Sequence, residues 1–122
     1  GGQDRGVLNV PLGEFEDLVA AALEAVPTEL ARLVDNVVIL VEDEPPPGQP
    51  GLLGLYEGVP LTVRGAYYAG AMPDRITIYR LPTLAFCRSH AEVVEQVNIT
   101  VVHEIAHHFG IDDATLHELG YG

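Results

Sequence analysis

Residues 91–113, AEVVEQVNITVVHEIAHHFGIDD, decide how this chain is read. At about 100° per residue, Glu92, Gln96, Thr100, His103 and His107 fall in one narrow stripe of a helix that starts at Ser89 or His90 and runs to about Phe109. Ser89 followed by Glu92 fits a capping box, and Gly110 stands where a left-handed C-cap belongs. Nearly everything else between Ala91 and Phe109 is apolar, which predicts a helix wrapped by protein on most sides. Its polar stripe then has to face a cleft, an ion or paired groups, because buried polar groups without partners are costly.

Within that stretch, His103-Glu104-Ile105-Ala106-His107 places two imidazoles four residues apart, so both rings project from one helix face within reach of a common ion. Glu104 lies about 100° further round, where its carboxylate can reach a water beside the ion without binding the ion itself. That is the position of a general base in metal-assisted hydrolysis. Two histidines on a core helix can also be ordinary hydrogen-bonded core residues, but the matching polar stripe argues against it. Gly110 allows a sharp turn, since glycine reaches positive φ without penalty, and Asp113 follows three residues later as a candidate third ligand. Asp113 could instead cap a final helix over 112–120; Asp112 could do so equally well and leave Asp113 for a metal. His117 and Glu118 are the other candidate third ligands. His108 points away from His107 and is expected to border the cleft or to lie behind the ligands as a supporting group, and His90 to be a surface or cap residue.

Outward from this helix, residues 13–26, GEFEDLVAAALEAV, place Phe15, Leu18, Val19, Ala22 and Val26 at helical spacing, with acids near the start where the helix dipole favours them. PTELARLV, beginning at Pro27, reads as a short second helix. The β-branched run NVVILVEDEP, 36–45, reads as a buried strand. Residues 44–54 form a Pro/Gly-rich loop, a candidate rim of the cleft. Residues 54–65, GLYEGVPLTVRG, suggest two short extended pieces around a Gly58-Val59-Pro60 turn, and Pro60 argues against a central strand there. The second piece, 59–65, is a candidate edge for holding a peptide by strand addition. DRITIYRLP, 74–82, alternates as a half-buried strand ended by Pro82. These elements predict an α+β fold in one small domain spanning residues 1–122, with a short mixed sheet packed on the N-terminal helix and the buried motif helix, after an N-terminal tail over residues 1–12.

The composition narrows the functions open to it. Eighteen acids face six arginines and no lysine, a net charge of −12. Nucleic-acid backbones and anionic membrane surfaces would be repelled. No apolar run approaches the ~18 residues of a membrane span. The single cysteine, Cys87, cannot form an internal disulfide, which with the absence of a visible signal peptide leads us to expect a cytoplasmic protein. The arginine-only, Gly/Ala/Pro-rich usage suggests a GC-rich source genome.

The string His103-Glu104-x-x-His107-x-x-Gly110-x-x-Asp113 is similar to the zincin metallopeptidases, in the branch with a glycine turn and an aspartate third ligand, the Asp-zincins. The order of elements over about residues 14–121 also resembles a minimal "mini-zincin" domain of bacterial metallopeptidases. The resemblance implies a small sheet packed on the motif helix and one Zn²⁺ per chain held by His103, His107 and Asp113. It further implies a peptidase of peptide or protein substrates that works through a metal-activated water, with Glu104 as the base. Tyr121 has two readings, a phenol that stabilises an oxyanion, as a tyrosine does in such enzymes, or a core side chain under the site. The chain departs from the metzincin pattern: Asp113 replaces a histidine, and its only methionine, Met72, lies upstream. Three further expectations stand beside the peptidase: a non-catalytic zinc-binding module of zincin shape, a zinc amidase on a non-peptide substrate, and a homodimer that completes an open cleft.

Overall fold

The computed structural model describes residues 8–34, 36–58 and 73–118. Along the chain run α1 (Leu12–Glu24), α2 (Thr28–Ala31), β1 (Val37–Glu42), β2 (Gly54–Glu57), β3 (Asp74–Tyr79), α3 (Arg80–Phe86), α4 (His90–His108) and α5 (Asp113–Glu118). The sheet has the order β1-β3-β2, with β1 parallel and β2 antiparallel to the central β3. This is the expected α+β fold with a short mixed sheet. Among the described residues no helix is long and apolar enough to cross a membrane. The expected strand over 59–65 lies outside the described residues.

The core forms where α1 and α4 cover one face of the sheet. Phe15 and Val19 of α1, Ile76 and Ile78 of β3, and Val93, Val97, Val101 and Ile105 of α4 are all fully buried in one cluster. The four-residue and eight-residue spacings on α4 give one continuous apolar ridge. That ridge is narrower than expected. Ile99 and Phe109 are 37% and 39% exposed, and Val94 and Val102 are only partly covered. The helix is therefore covered along one face, not wrapped on most sides.

Two more expectations change. β1 is an edge strand with alternating burial, and Val38 and Leu40 remain 39% and 40% exposed on its outer face. Its unbroken apolar run therefore does not mark a strand buried on both faces. Pro82 does not end the β3 segment either. The strand stops at Tyr79, and Pro82 sits in the first turn of α3, where its missing N–H is not needed by the helix. Arg80 ties this junction down, donating from Nε to Val10 O at 2.9 Å and from Nη1 to Asp43 Oδ1 at 3.0 Å.

Both ends of α4 are set locally. Ser89 Oγ accepts the Glu92 N–H at 3.1 Å, while Glu92 Oε1 accepts the Arg88 N–H at 2.7 Å. The capping box thus closes one residue further upstream than the usual reciprocal pair. At the other end Gly110 adopts φ of 80°, with Gly110 N–H donating to His107 O and Ile111 N–H to Ala106 O at 3.1 and 2.8 Å. This pair of bonds is a Schellman turn. It reverses the chain so that α5 begins beside the last turn of α4.

Candidate metal centre

His103 and His107 lie one turn apart on α4 with ring centroids 5.6 Å apart. The Schellman turn brings α5 back toward them. Asp112 caps α5, its Oδ1 accepting the Thr115 N–H at 2.8 Å, and this bond holds its carboxyl below the usual carboxylate range. Asp113 is then left facing the histidines, with Oδ1 3.0 Å from His107 Nε2 and 3.9 Å from His103 Nδ1. One donor atom from each of His103, His107 and Asp113 falls within 4.8 Å of the others.

The donor set suits zinc, which takes imidazole nitrogen and carboxylate oxygen in sites that keep a further position open. Openness is visible here, since the His107 and Asp113 side chains are 51% and 73% exposed. His103 Nε2 is buried and has no hydrogen-bond partner among the described residues. The His103 nitrogen nearer Asp113 is the other one, Nδ1.

Glu104 is half-buried and turned toward β2, where Oε1 accepts the Tyr56 N–H at 3.1 Å. Leu53 O accepts from Tyr79 N–H at 2.9 Å, so by strand alternation Tyr56 N–H points to the edge of β2 away from β3. Burial pushes the Glu104 carboxyl up; the Tyr56 N–H and then the charges of His107 and His103 pull it back in part. Glu104 therefore keeps its proton to a higher pH than a solvated glutamate.

Tyr56 went unrecognised in the sequence, where only the alternation of GLYE hinted at an inward-facing ring. It is buried, donates its hydroxyl to Asp74 Oδ2 at 2.8 Å, and stacks on His108 with centroids 3.9 Å apart and planes 18° apart. Phe109 meets both rings edge-on. His108, expected at the cleft border or behind the ligands, clamps the end of α4 to β2. His90 pairs with Glu14 of α1 at 2.8 Å, far along α4 from the metal candidates. His117 and Glu118 line a cavity of about 570 Å³ together with His103, Asp113 and Ala114, but the grouped donor atoms come from Asp113 and not from them. Prolines of the 44–54 loop, expected as the cleft rim, instead line a cavity with Leu81, Pro82 and Ala85 on α3. Tyr121 lies outside the described residues.

A family model described as zincin-like metallopeptidase matches residues 34–122. The solved structure of a conserved hypothetical protein from Thermus thermophilus is similar, with a TM-score of 0.55 and 25% identity over 81% of this chain and 94% of that one. No curated protein matches. With the matched region running from the turn before β1 through the sheet, α4 and α5, the chain belongs to the family of zincin-like metallopeptidases.

Proposed function

We propose that the protein is a zinc-dependent peptidase in which His103, His107 and Asp113 hold one zinc ion and Glu104 is the general base. The observation that carries this reading is the convergence of the three donor groups within 4.8 Å, beside a half-buried glutamate anchored to a strand edge. A zinc ion bound there would supply Lewis acidity, polarising a substrate carbonyl and acidifying water. The rest falls to the chain. Tyr56 N–H fixes Oε1 of Glu104 and leaves Oε2 to take a proton from the attacking water and return it to the leaving amine. The raised carboxyl suits that task, because a base that must later act as an acid works best near the operating pH. Asp112 supports the site indirectly by capping α5, which frees Asp113.

The test is zinc-loaded protein offered a broad peptide library. Wild type should cleave, and Glu104→Gln should keep its zinc and lose turnover. Cleavage retained in zinc-loaded Glu104→Gln would remove the base. The exposure of His107 and Asp113 favours one second reading, a zinc-binding module without catalysis; stoichiometric zinc with no cleavage by wild type would select it.

A further inference from the structure

The sheet face turned away from α4 carries a pocket of about 320 Å³ that the zinc reading does not use. Strand alternation builds it. Ile76 and Ile78 of β3 point into the core, so Arg75, Thr77 and Tyr79 point the other way. Leu40 and Glu42 of β1 stand beside Thr77 and Tyr79 in register, and Glu57 of β2 stands beside Arg75. Glu44, Pro45 and Pro46 of the following loop close one side.

The floor and rim of this pocket differ in what they lack. Thr77 and Tyr79 are 6% and 5% exposed and line the pocket, yet neither hydroxyl has a hydrogen-bond partner among the described residues. Neither hydroxyl oxygen is sealed off as a buried atom without a partner, so both open onto the pocket and are free to meet a group that enters it. Burial, with the carboxylates of Glu57 and Glu42 adding to it, pushes the Tyr79 phenol up, so it stays a neutral hydroxyl whose oxygen can accept from an N–H. On the rim, Glu57 already has a cation, Arg75 Nη2 at 3.2 Å. Glu42 and Glu44 have none among the described residues. Leu40, 40% exposed, and the two prolines offer an apolar wall.

We propose that this pocket binds a basic side chain, an arginine or lysine of a peptide or protein partner, with its aliphatic stem on Leu40, Pro45 and Pro46 and its cationic head between Glu42 and Glu44 over the Thr77 and Tyr79 hydroxyls. The Arg75–Glu57 pair is the in-chain example of the contact an incoming guanidinium makes with the remaining carboxylates. The volume is at the small end for a ligand pocket and fits one side chain rather than a large cofactor. The chain's net charge of −12 draws such a partner in. The site lies across the sheet from the metal candidates, so it stands whether or not they bind zinc.

The probes are N-acetyl-arginine amide and its neutral counterpart, N-acetyl-citrulline amide, titrated into isotope-labelled full chain and followed by backbone amide shifts. The arginine probe should move amides of Leu40–Glu42 and Thr77–Tyr79 saturably, and the citrulline probe should bind about tenfold more weakly. The double variant Glu42→Gln/Glu44→Gln, on the exposed rim, should lose about tenfold in affinity while keeping the remaining amide spectrum. Tyr79→Phe should weaken the arginine probe severalfold without lowering the melting temperature, because its hydroxyl has no partner among the described residues. Equal binding of the two probes, unchanged affinity in the double variant, shifts confined to residues 103–118, or no shift at the pocket would each overturn the proposal.

Discussion

Asp112 and Asp113 are chemically identical neighbours with different work. One oxygen of Asp112 is spent on the Thr115 N–H, and that bond starts α5 where Asp113 faces His107. Asp113→Ala should therefore weaken zinc by more than the ~10–100-fold typical of losing a supporting group, and Asp112→Ala by less. Chelator competition measures both, and equal losses would remove Asp113 as the third ligand. Glu104 gives a second test at this scale. Its folded-state pKa is raised, so the folded protein holds that proton more tightly than the unfolded chain. The stability linked to it is full below the ordinary value of 4.5 and falls as pH rises from there through the raised value. In chelator-treated protein, urea denaturation between about pH 4 and pH 7 should show that fall in wild type and a shallower one in Glu104→Gln. Parallel curves would show that burial does not hold the carboxyl up.

At the scale of elements, the decisive contact is α4 against β2. Gly54 lets them approach: a Cβ there would lie 2.7 Å from Thr100 Cγ2 and 3.2 Å from Ile78 Cδ1. Gly54→Ala should cost about 1–3 kcal/mol by overpacking, and adding Thr100→Ser, which removes that methyl, should recover part of it. Thermal melts of the single and double variants check this; a neutral Gly54→Ala would mean the strand has room to move. The same contact marks where sequence reading stops. Helix periodicity, Ser89, Gly110 and the His/Glu spacing are local signals, so α4, its caps and the pairing of His103 with His107 were legible. That Thr100 packs on Gly54, and that Tyr56 offers its N–H to Glu104, depends on β2 lying beside α4, which no local pattern encodes. β1 and α3 misled for a related reason. Apolar content cannot tell an edge strand with a covered neighbour from a central one, and Pro82 is as acceptable in a first helical turn as at a strand end.

For the molecule as a whole, the family match begins at residue 34, yet α1 lies before it and supplies Phe15 and Val19 to the core under α4. Phe15→Ala should lower stability by about 3–5 kcal/mol, read by urea denaturation; a loss below about 1 kcal/mol would mean that α1 is an accessory and the matched region carries the core alone. The α+β architecture thus presents α4 to β2 from one side and holds its last turn open to α5 on the other, and that open end is where the donor groups meet. The most direct measurement of this account is the zinc content of the protein purified without chelators, by elemental analysis on wild type and variants. The account predicts one zinc per chain in wild type and in Glu104→Gln, and its loss in His103→Ala, His107→Ala and Asp113→Ala. Wild type that takes up no zinc when it is offered, or His107→Ala that keeps a full equivalent, would contradict it.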